Sequence, residues 1–582
     1  MATGLDRHRT PLELAARRWV AEFLLWAAPL VFLGLFYFYP LGSILALSFA
    51  RSDTGAAQAF LKTLASPPII RVVWFTIWQA VLSTFLTLAI GLPGAYLMAR
   101  FKFRGKSLIQ ALAGIPFIMP TLVVAAAFNA LLGPRGWLNL ALMGLFNLSV
   151  SPIQFTNSLV AILVAHVFYN TTIVLRTVGD FWSHLDPRLE QAAQVLGANR
   201  VETLRRITLP LLAPAIASAA LLVFIFDFTS FGVILILGGP RFATLEVEIY
   251  YQTVSLFNLP VAASLSIIQL LFTLAMTVLY TRLNRHISRP LALHSQEYTQ
   301  RKLLTWRSRL FAGVVIVILF TLLVAPLAAL GLRSVTRLEA ERGQKTPVSN
   351  GFTLAFYREL FINRRESISY NPPGTSIAIS FGSAFVTVVL ALALGLPAAW
   401  GLAQHAESIT SRLFDPILML PLGTSAVTLG LGFIVALNKP PLDLRASPVL
   451  VPLAHTLVAF PFVVRSLTPA LRSIRPRLRQ AGAILGASPG QIFQYIDLPL
   501  IGRAIIVAAT FAFAISLGEF GATSLIARPE FSTVPMAIYR FISQPGALNY
   551  GQALALSTIL MVVCAGGMLA IERLRIANIG EF

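Results

Sequence analysis

Gln191-Ala-Ala-Gln-Val-Leu-Gly197, nine residues, then Ile207-Thr-Leu-Pro210 is a phrase the chain uses twice, returning as Gln480-Ala-Gly-Ala-Ile-Leu-Gly486, nine residues, Ile496-Asp-Leu-Pro499. Each matched position lies 289 residues further on (191 to 480, 197 to 486, 210 to 499). Both copies are polar segments between apolar runs, so two equal modules present one loop at one place. Leu189, Ala192, Ala193 and Leu196 recur at the spacing of a single helical face. Gly197 then gives the freedom for a sharp turn, and a second short helix is expected through Val201 and Leu204 to Pro210. Leu478, Ala481 and Leu485, then Gly486, then Ile492 and Ile496 repeat the pattern. A bent helix pair with small residues on its face suits insertion into a groove on a soluble partner.

The same 289-residue offset joins Ala165-His166 to Ala454-His455, Arg176 to Arg465, Phe231-Gly232 to Phe520-Gly521 and Ile249-Tyr250 to Ile538-Tyr539. Upstream, Gly91-Leu92-Pro93 pairs with Gly395-Leu396-Pro397 at an offset of 304, so the loops early in the two halves differ in length. The chain is an internal duplication.

Hydrophobic residues make up 56% of it, charged residues 12%, and mean hydropathy is +0.76, a composition that excludes a soluble globule. The net charge of +21 reflects Lys and Arg gathered between apolar runs, the habit of a polytopic membrane protein, so no nucleic-acid partner is expected. Cys564 is the single cysteine, which excludes an intrachain disulfide and a multi-cysteine metal site. No cleavable leader is expected, because the run after Arg7, His8, Arg9, Arg17 and Arg18 is long enough to span and lacks a cleavage pattern.

A helix needs roughly 18 apolar residues to cross the hydrocarbon, and about twelve runs qualify. They are Leu24–Leu47, Val72–Met98, Leu108–Leu132, Ser158–Val178, Leu211–Leu237 and Val261–Leu283, then Leu310–Leu332, Ser376–Leu402, Leu413–Leu437, Val449–Leu467, Ile501–Ile526 and Gln552–Ile571. The expectation is an all-α membrane protein of two parallel six-helix cores, 1–290 and 310–582, joined by a basic linker over 291–309. Arg100, Lys102, Arg104 and Lys106, with seven basic residues against one acid from Arg282 to Arg309, place those segments in the cytoplasm. Both repeated loops, near 188–210 and 477–499, and both termini then share that side. The stretch from Arg333 to Pro373 carries several Arg on the outer face, where long loops obey the charge rule weakly.

On these residues each half resembles the permease subunits of binding-protein-dependent ABC importers, whose coupling loop docks into a cytoplasmic ATPase. The resemblance implies a multi-pass protein of the bacterial inner membrane, two copies of the ATPase as partners, and an extracytoplasmic substrate-binding protein. It assigns ATPase coupling to Gln191, Ala192, Ala193, Gly197, Ile207, Leu209 and Pro210, and to Gln480, Ala481, Gly482, Gly486, Ile496, Leu498 and Pro499. The chain departs from the family at the first position, where Gln191 and Gln480 replace the usual Glu. It is not itself expected to be an enzyme and has no catalytic residues or cofactor to name. Gly105-Lys106-Ser107 looks like the end of a phosphate loop, but Arg100 stands where that loop needs glycine, so ATP and Mg belong to the partner ATPase.

Acids inside apolar runs face a protein interior or a wet pathway. Asp227 and Glu519 are the clear cases; by the repeat, Asp227 corresponds to Ser516 and Glu519 to Ser230. These four are candidates to line or gate the pathway for a cationic or polar cargo, the alternative being buried hydrogen bonds between helices. His166 and His455 are read as hydrogen-bonded helix residues in preference to a metal or proton relay, and no metal site is expected. Two cores in one chain resemble the thiamine and ferric-iron permeases. The segments 238–250 and 529–539 look closer to the thiamine type, and a Lys-Glu-Leu-Pro common in ferric permeases is missing. Gly518-Glu-Phe-Gly-Ala-Thr523 also resembles sulfate and molybdate permeases, which keeps that alternative open; an ion-coupled secondary transporter is the contrasting class.

Overall fold

A computed structural model describes residues 26–49, 65–287, 300–337, 351–362, 372–404, 408–438, 440 and 442–576. The termini with their basic cluster, the first part of the basic linker and part of the loop after Arg333 lie outside these residues. Among the described residues 11 helices are long and apolar enough to cross a membrane, or up to 12 when a pair bent by 95° is counted as one span. Helices follow from the apolar runs, since only a helix pairs every backbone group within its own segment in hydrocarbon.

The first half contains α1 (Trp26–Ser48), α2 (Pro67–Arg100), α3 (Lys106–Ile118), α4 (Thr121–Leu132), α5 (Leu159–Ser183), α6 (Pro187–Val195), α7 (Val201–Phe228), α8 (Gly232–Leu237), α9 (Leu245–Tyr250) and α10 (Leu259–Leu283). The second contains α11 (Trp306–Ser334), α12 (Thr375–Gln404), α13 (Ile409–Met419), α14 (Ala426–Ala436), α15 (Leu450–Ser473), α16 (Pro476–Ile484), α17 (Pro489–Gly518), α18 (Thr523–Ile526), α19 (Val534–Ile542) and α20 (Ala547–Ile571). A two-residue parallel pair, β1 (Phe101–Lys102) with β2 (Arg301–Lys302), ties the end of α2 to the segment entering α11.

In each half α2 or α12 lies against α5 or α15 at a point where only glycine fits. A Cβ on Gly91 would stand 2.7 Å from Val174 Cβ, and one on Gly395 would stand 2.6 Å from Val463 Cγ1, its counterpart. The helices run on through Pro93 and Pro397. The first span of each half crosses to the other. Trp26, Phe32, Leu33 and Tyr37 of α1 are buried among Leu402, Phe433 and Leu457 of the second half, and the Tyr37 hydroxyl lies 2.7 Å from Thr424 Oγ1. Reciprocally, α11 packs along α4 of the first half as well as α20 of its own.

The third and fifth spans of each half, expected as single helices, are broken. Met119 is extended (ψ 132°) ahead of Pro120, which has no N–H to offer, so α3 stops and α4 starts afresh. In the second half the chain bends by 95° and restarts where the Ser425 hydroxyl accepts the N–H groups of Val427 and Thr428. Of the fifth spans, α7 ends at Phe228 and α17 at Gly518. Glu519 leaves the helix (ψ 121°), and its carboxylate takes the N–H of Ala522 (2.8 Å) and Thr523 (3.0 Å). Broken backbone at membrane depth is tolerated where it lines a cavity.

Candidate functional site

Each repeated loop folds as helix, left-handed glycine, helix. Asp186 caps α6 by accepting Arg188 N–H (2.9 Å), and Pro187 and Pro476 open α6 and α16. At the far ends Ala198 N–H reaches Ala193 O and Ala487 N–H reaches Gly482 O, both at 3.0 Å. Gly197 and Gly486 sit at φ 90° and 86°, where an L side chain is strained. The turns leave Val195, Leu196, Ile484 and Leu485 at the tips, each 86–87% exposed. Gln191, Ala192, Gln480 and Ala481 are also exposed, while Ala193 is buried. Gly482 lies beneath Ile496, whose Cδ1 would be 2.8 Å from a Cβ there. Ile207 and Leu498 are half-buried, and Leu209, Pro210 and Pro499 are exposed where the loops run into α7 and α17. The motif isoleucine of the second loop thus braces its own helix pair while the apolar tip stays free.

Ion pairs that the sequence reading missed hold the loops to the body. Arg100, at the end of α2, donates to Glu190 Oε1 (2.7 Å) and Leu185 O (3.2 Å), and Thr208 donates to the same Glu190 oxygen (3.1 Å). In the second half Arg479 occupies the place of Glu190 and donates to Asp497, in the place of Thr208, at 2.8 Å. Both Thr208 and Asp497 fall in π-helical turns, Leu204–Thr208 and Phe493–Asp497. The repeat comparison hid these pairs because matched positions carry different residues.

The helix breaks converge on a cavity of about 360 Å³ between the halves. Phe117–Thr121 of the first third-span break and Ala426 and Val427 of the second contribute to its wall, with Asp227, Ser230 and Glu519 from the fifth spans. Phe231 and Phe520 stack across the two halves with centroids 5.4 Å apart and planes at 19°. Tyr250 and Tyr539 flank them, each 5.4 Å from its own phenylalanine. Such a stack contributes on the order of 1 kcal/mol beyond its burial.

Each acid belongs to a histidine. His166 Nε2 is 2.9 Å from Ser230 Oγ, its Nδ1 is 3.3 Å from Asp227 Oδ1, and Asn170 donates to that oxygen at 2.6 Å. His455 Nδ1 is 2.7 Å from Ser516 Oγ, and its Nε2 is 3.3 Å from Glu519 Oε2 and 2.8 Å from Thr523 Oγ1. Asp227 and Glu519 therefore combine hydrogen bonds between helices with a place on the cavity wall. Ser516 and His455 stand behind the wall. A third acid was missed: Glu246 of α9 is buried, accepts from Ser425 of the other half at 2.5 Å and from Gln269, and lines the cavity. Its repeat counterpart is Pro535, and it lies outside the long apolar runs, so neither signal used on the sequence marks it. Among the described residues no Lys or Arg lines the cavity, whereas aromatic rings such as Phe117, Tyr169, Phe226 and Phe511 do. No group of three or more His, Cys, Asp or Glu among the described residues is placed to hold a metal ion.

Comparison with known proteins agrees with this architecture. A model described as the binding-protein-dependent transport system inner membrane component matches twice, over residues 91–289 and 391–576. The thiamine transport system permease protein ThiP of Brucella abortus is 29% identical over 548 residues, covering 89% of this chain and 94% of its own. ThiP of Escherichia coli K12 is 26% identical, covering 87% and 89%. A probable ABC transporter permease, y4fN of Sinorhizobium fredii, is 24% identical, covering 93% and 94%. A chain from the crystal structure of a bacterial ABC transporter involved in alginate import aligns with 47% of this chain and 98% of its own, at 20% identity and a TM-score of 0.37, too distant to bear on the fold.

Proposed function

Since the chain belongs to the family of binding-protein-dependent transport system inner membrane components, as a two-core ABC importer permease, we propose that its cargo is an aromatic organic cation of the thiamine type. The observation that carries this is the central cavity, lined among the described residues by three carboxyl groups, Asp227, Glu246 and Glu519, by several aromatic rings and by no Lys or Arg. About 360 Å³ is within the range of small-ligand sites. An oxyanion such as sulfate or molybdate would meet acceptors without a countercharge, and a ferric ion would find no ligand cluster among the described residues. The names of the ThiP relatives point the same way.

In this reading an extracytoplasmic binding protein delivers the cargo, and the two loop tips dock into two copies of a cytoplasmic ATPase that supplies ATP and Mg chemistry. Both loops and both termini face the cytoplasm. Phe231 and Phe520, with Tyr250 and Tyr539, close the cavity toward the binding protein until ATP-driven closure of the ATPases rotates the halves apart. The test is uptake into proteoliposomes holding the permease, its ATPase and the binding protein encoded beside it. Labelled thiamine is expected to accumulate with ATP and to be outcompeted by unlabelled thiamine but not by ferric iron, sulfate or molybdate. ATP-driven uptake of an oxyanion or of ferric iron with no uptake of thiamine would overturn the cargo while leaving the permease assignment standing.

A further inference from the structure

A second cavity, of about 800 Å³, lies on the coupling-loop side of the first half, away from the central one. Its inner wall is apolar, with Leu92, Ile216 and Phe311, and an aromatic cluster stands beside it in which Tyr96 is 5.0 Å from Trp182 and 5.8 Å from Phe311. Trp182 is 5% exposed, and its indole N–H has no acceptor among the described residues. The pairing of β2 with β1 brings Arg301 and Lys302 to the same wall. Glu190 is there too, but its charge is engaged by Arg100 at 2.7 Å, which leaves the two exposed cations to set the sign. Around them Leu304, Trp306 and Leu310 are 77%, 69% and 59% exposed at the start of α11, the composition of a helix end at a bilayer surface.

We propose that this cavity seats the phosphoryl headgroup and first chain carbons of an anionic phospholipid drawn from the leaflet on the coupling-loop side. Arg301 and Lys302 meet the phosphate, and the acyl chain leaves over Leu304 and Leu310 into the bilayer. Basic pockets between spans take such headgroups, and neighbouring cations favour an anionic lipid over a zwitterionic one. The occupant touches the coupling apparatus directly, because Glu190 and Gln194 of α6 and Thr208 share the wall.

Native mass spectrometry of the full chain in detergent tests this without reference to transport, so its failure would leave the permease function untouched. The wild-type chain, given phosphatidylglycerol or phosphatidylcholine, is expected to retain the anionic lipid about tenfold better. The double variant Arg301→Gln/Lys302→Gln is expected to lose that preference, and Arg412→Gln, which removes an exposed cation on α13, is expected to keep it. Equal retention of both lipids by the wild type, or an unchanged preference in the double variant, would overturn the site. Phenyl phosphate supplies the same phosphoryl chemistry in soluble form and is expected neither to bind lipid-free protein nor to displace phosphatidylglycerol. Binding and displacement by phenyl phosphate would overturn the lipid as occupant.

Discussion

His166 and His455 hold the same place in the two halves, yet their surroundings are exchanged. In the first half the acid is at 227 and the serine at 230; in the second the serine is at 516 and the acid at 519. Each histidine still touches one acid and one serine. The loop braces show a related exchange: Glu190 is held by Arg100 and Thr208, whereas Arg479 holds Asp497. The lesson is that a duplicated fold preserves the interaction and lets its partners migrate. A buried charge must have a partner, but the partner can stand one helical turn away or across the loop. The two halves are equivalent in architecture and different in electrostatics, which gives each experiment below an internal control.

The largest effect is expected where the halves are alike. Gly197→Val with Gly486→Val places a β-branched residue at φ 90° and 86°, costing about 1–3 kcal/mol at each turn. Loss of nearly all ATPase co-purification and of coupled hydrolysis is the expected result, with each single variant intermediate. A double variant that retains its ATPase and transports normally would show that the tips are not the docking elements.

Next come the cavity acids, where the halves differ. Asp227→Asn and Glu519→Gln each replace a carboxyl group by an amide at nearly constant size, and a buried hydrogen-bond partner removed in this way costs about 1–3 kcal/mol. Uptake is expected to fall on the order of tenfold or more in either variant with the ATPase still bound. Glu519→Gln should also lower the thermal midpoint, because one amide oxygen cannot replace the carboxylate that accepts from Ala522, Thr523 and the Thr523 hydroxyl. Normal uptake in both would make the two acids purely structural.

The braces sharpen the comparison on stability alone. Arg479→Gln removes the cation beside Asp497, which is 1% exposed and whose other side-chain hydrogen bond among the described residues comes from the Trp400 N–H at 3.5 Å, and breaking such a pair costs about 3 kcal/mol. Glu190→Gln leaves Arg100 with its bond to Leu185 O and can itself still accept, so a loss of about 1 kcal/mol is expected. Denaturation midpoints of the two purified variants should rank in that order; the reverse ranking would break the assignment of Arg479 as the stronger brace. Smallest of all is restoration of the family residue. Gln191 and Gln480 are exposed, so Gln191→Glu with Gln480→Glu should change ATPase affinity by no more than about threefold, as surface charges do.

Much of the molecule was legible in the chain because membrane insertion and duplication each write a strong local signal. The apolar runs gave the helices, and the constant offset gave the two loops with their glycines. That offset also paired the histidines, Phe231 with Phe520, and Tyr250 with Tyr539. The breaks in the third and fifth spans were missed, since Met119-Pro120 and Gly518-Glu519 sit inside runs whose mean hydropathy still reads as continuous. Glu246 and the Arg100 brace were missed because their partners lie far along the chain, Ser425 179 residues from Glu246 and Arg100 90 from Glu190, while Arg479 and Asp497, only 18 apart, were missed because the repeat puts Glu190 and Thr208 in their places.

What the sequence determined by itself, then, is whatever depends on near neighbours: span, turn and repeat, fixed by helical periodicity and by the cost of unpaired backbone in hydrocarbon. Only the tertiary structure decided that α1 and α11 exchange halves, that three carboxyl groups face one cavity, and that two phenylalanines 289 positions apart stack across it. Those contacts join residues hundreds of positions apart, and they are selected by the packing of whole helices, for which no local pattern in the chain is a proxy.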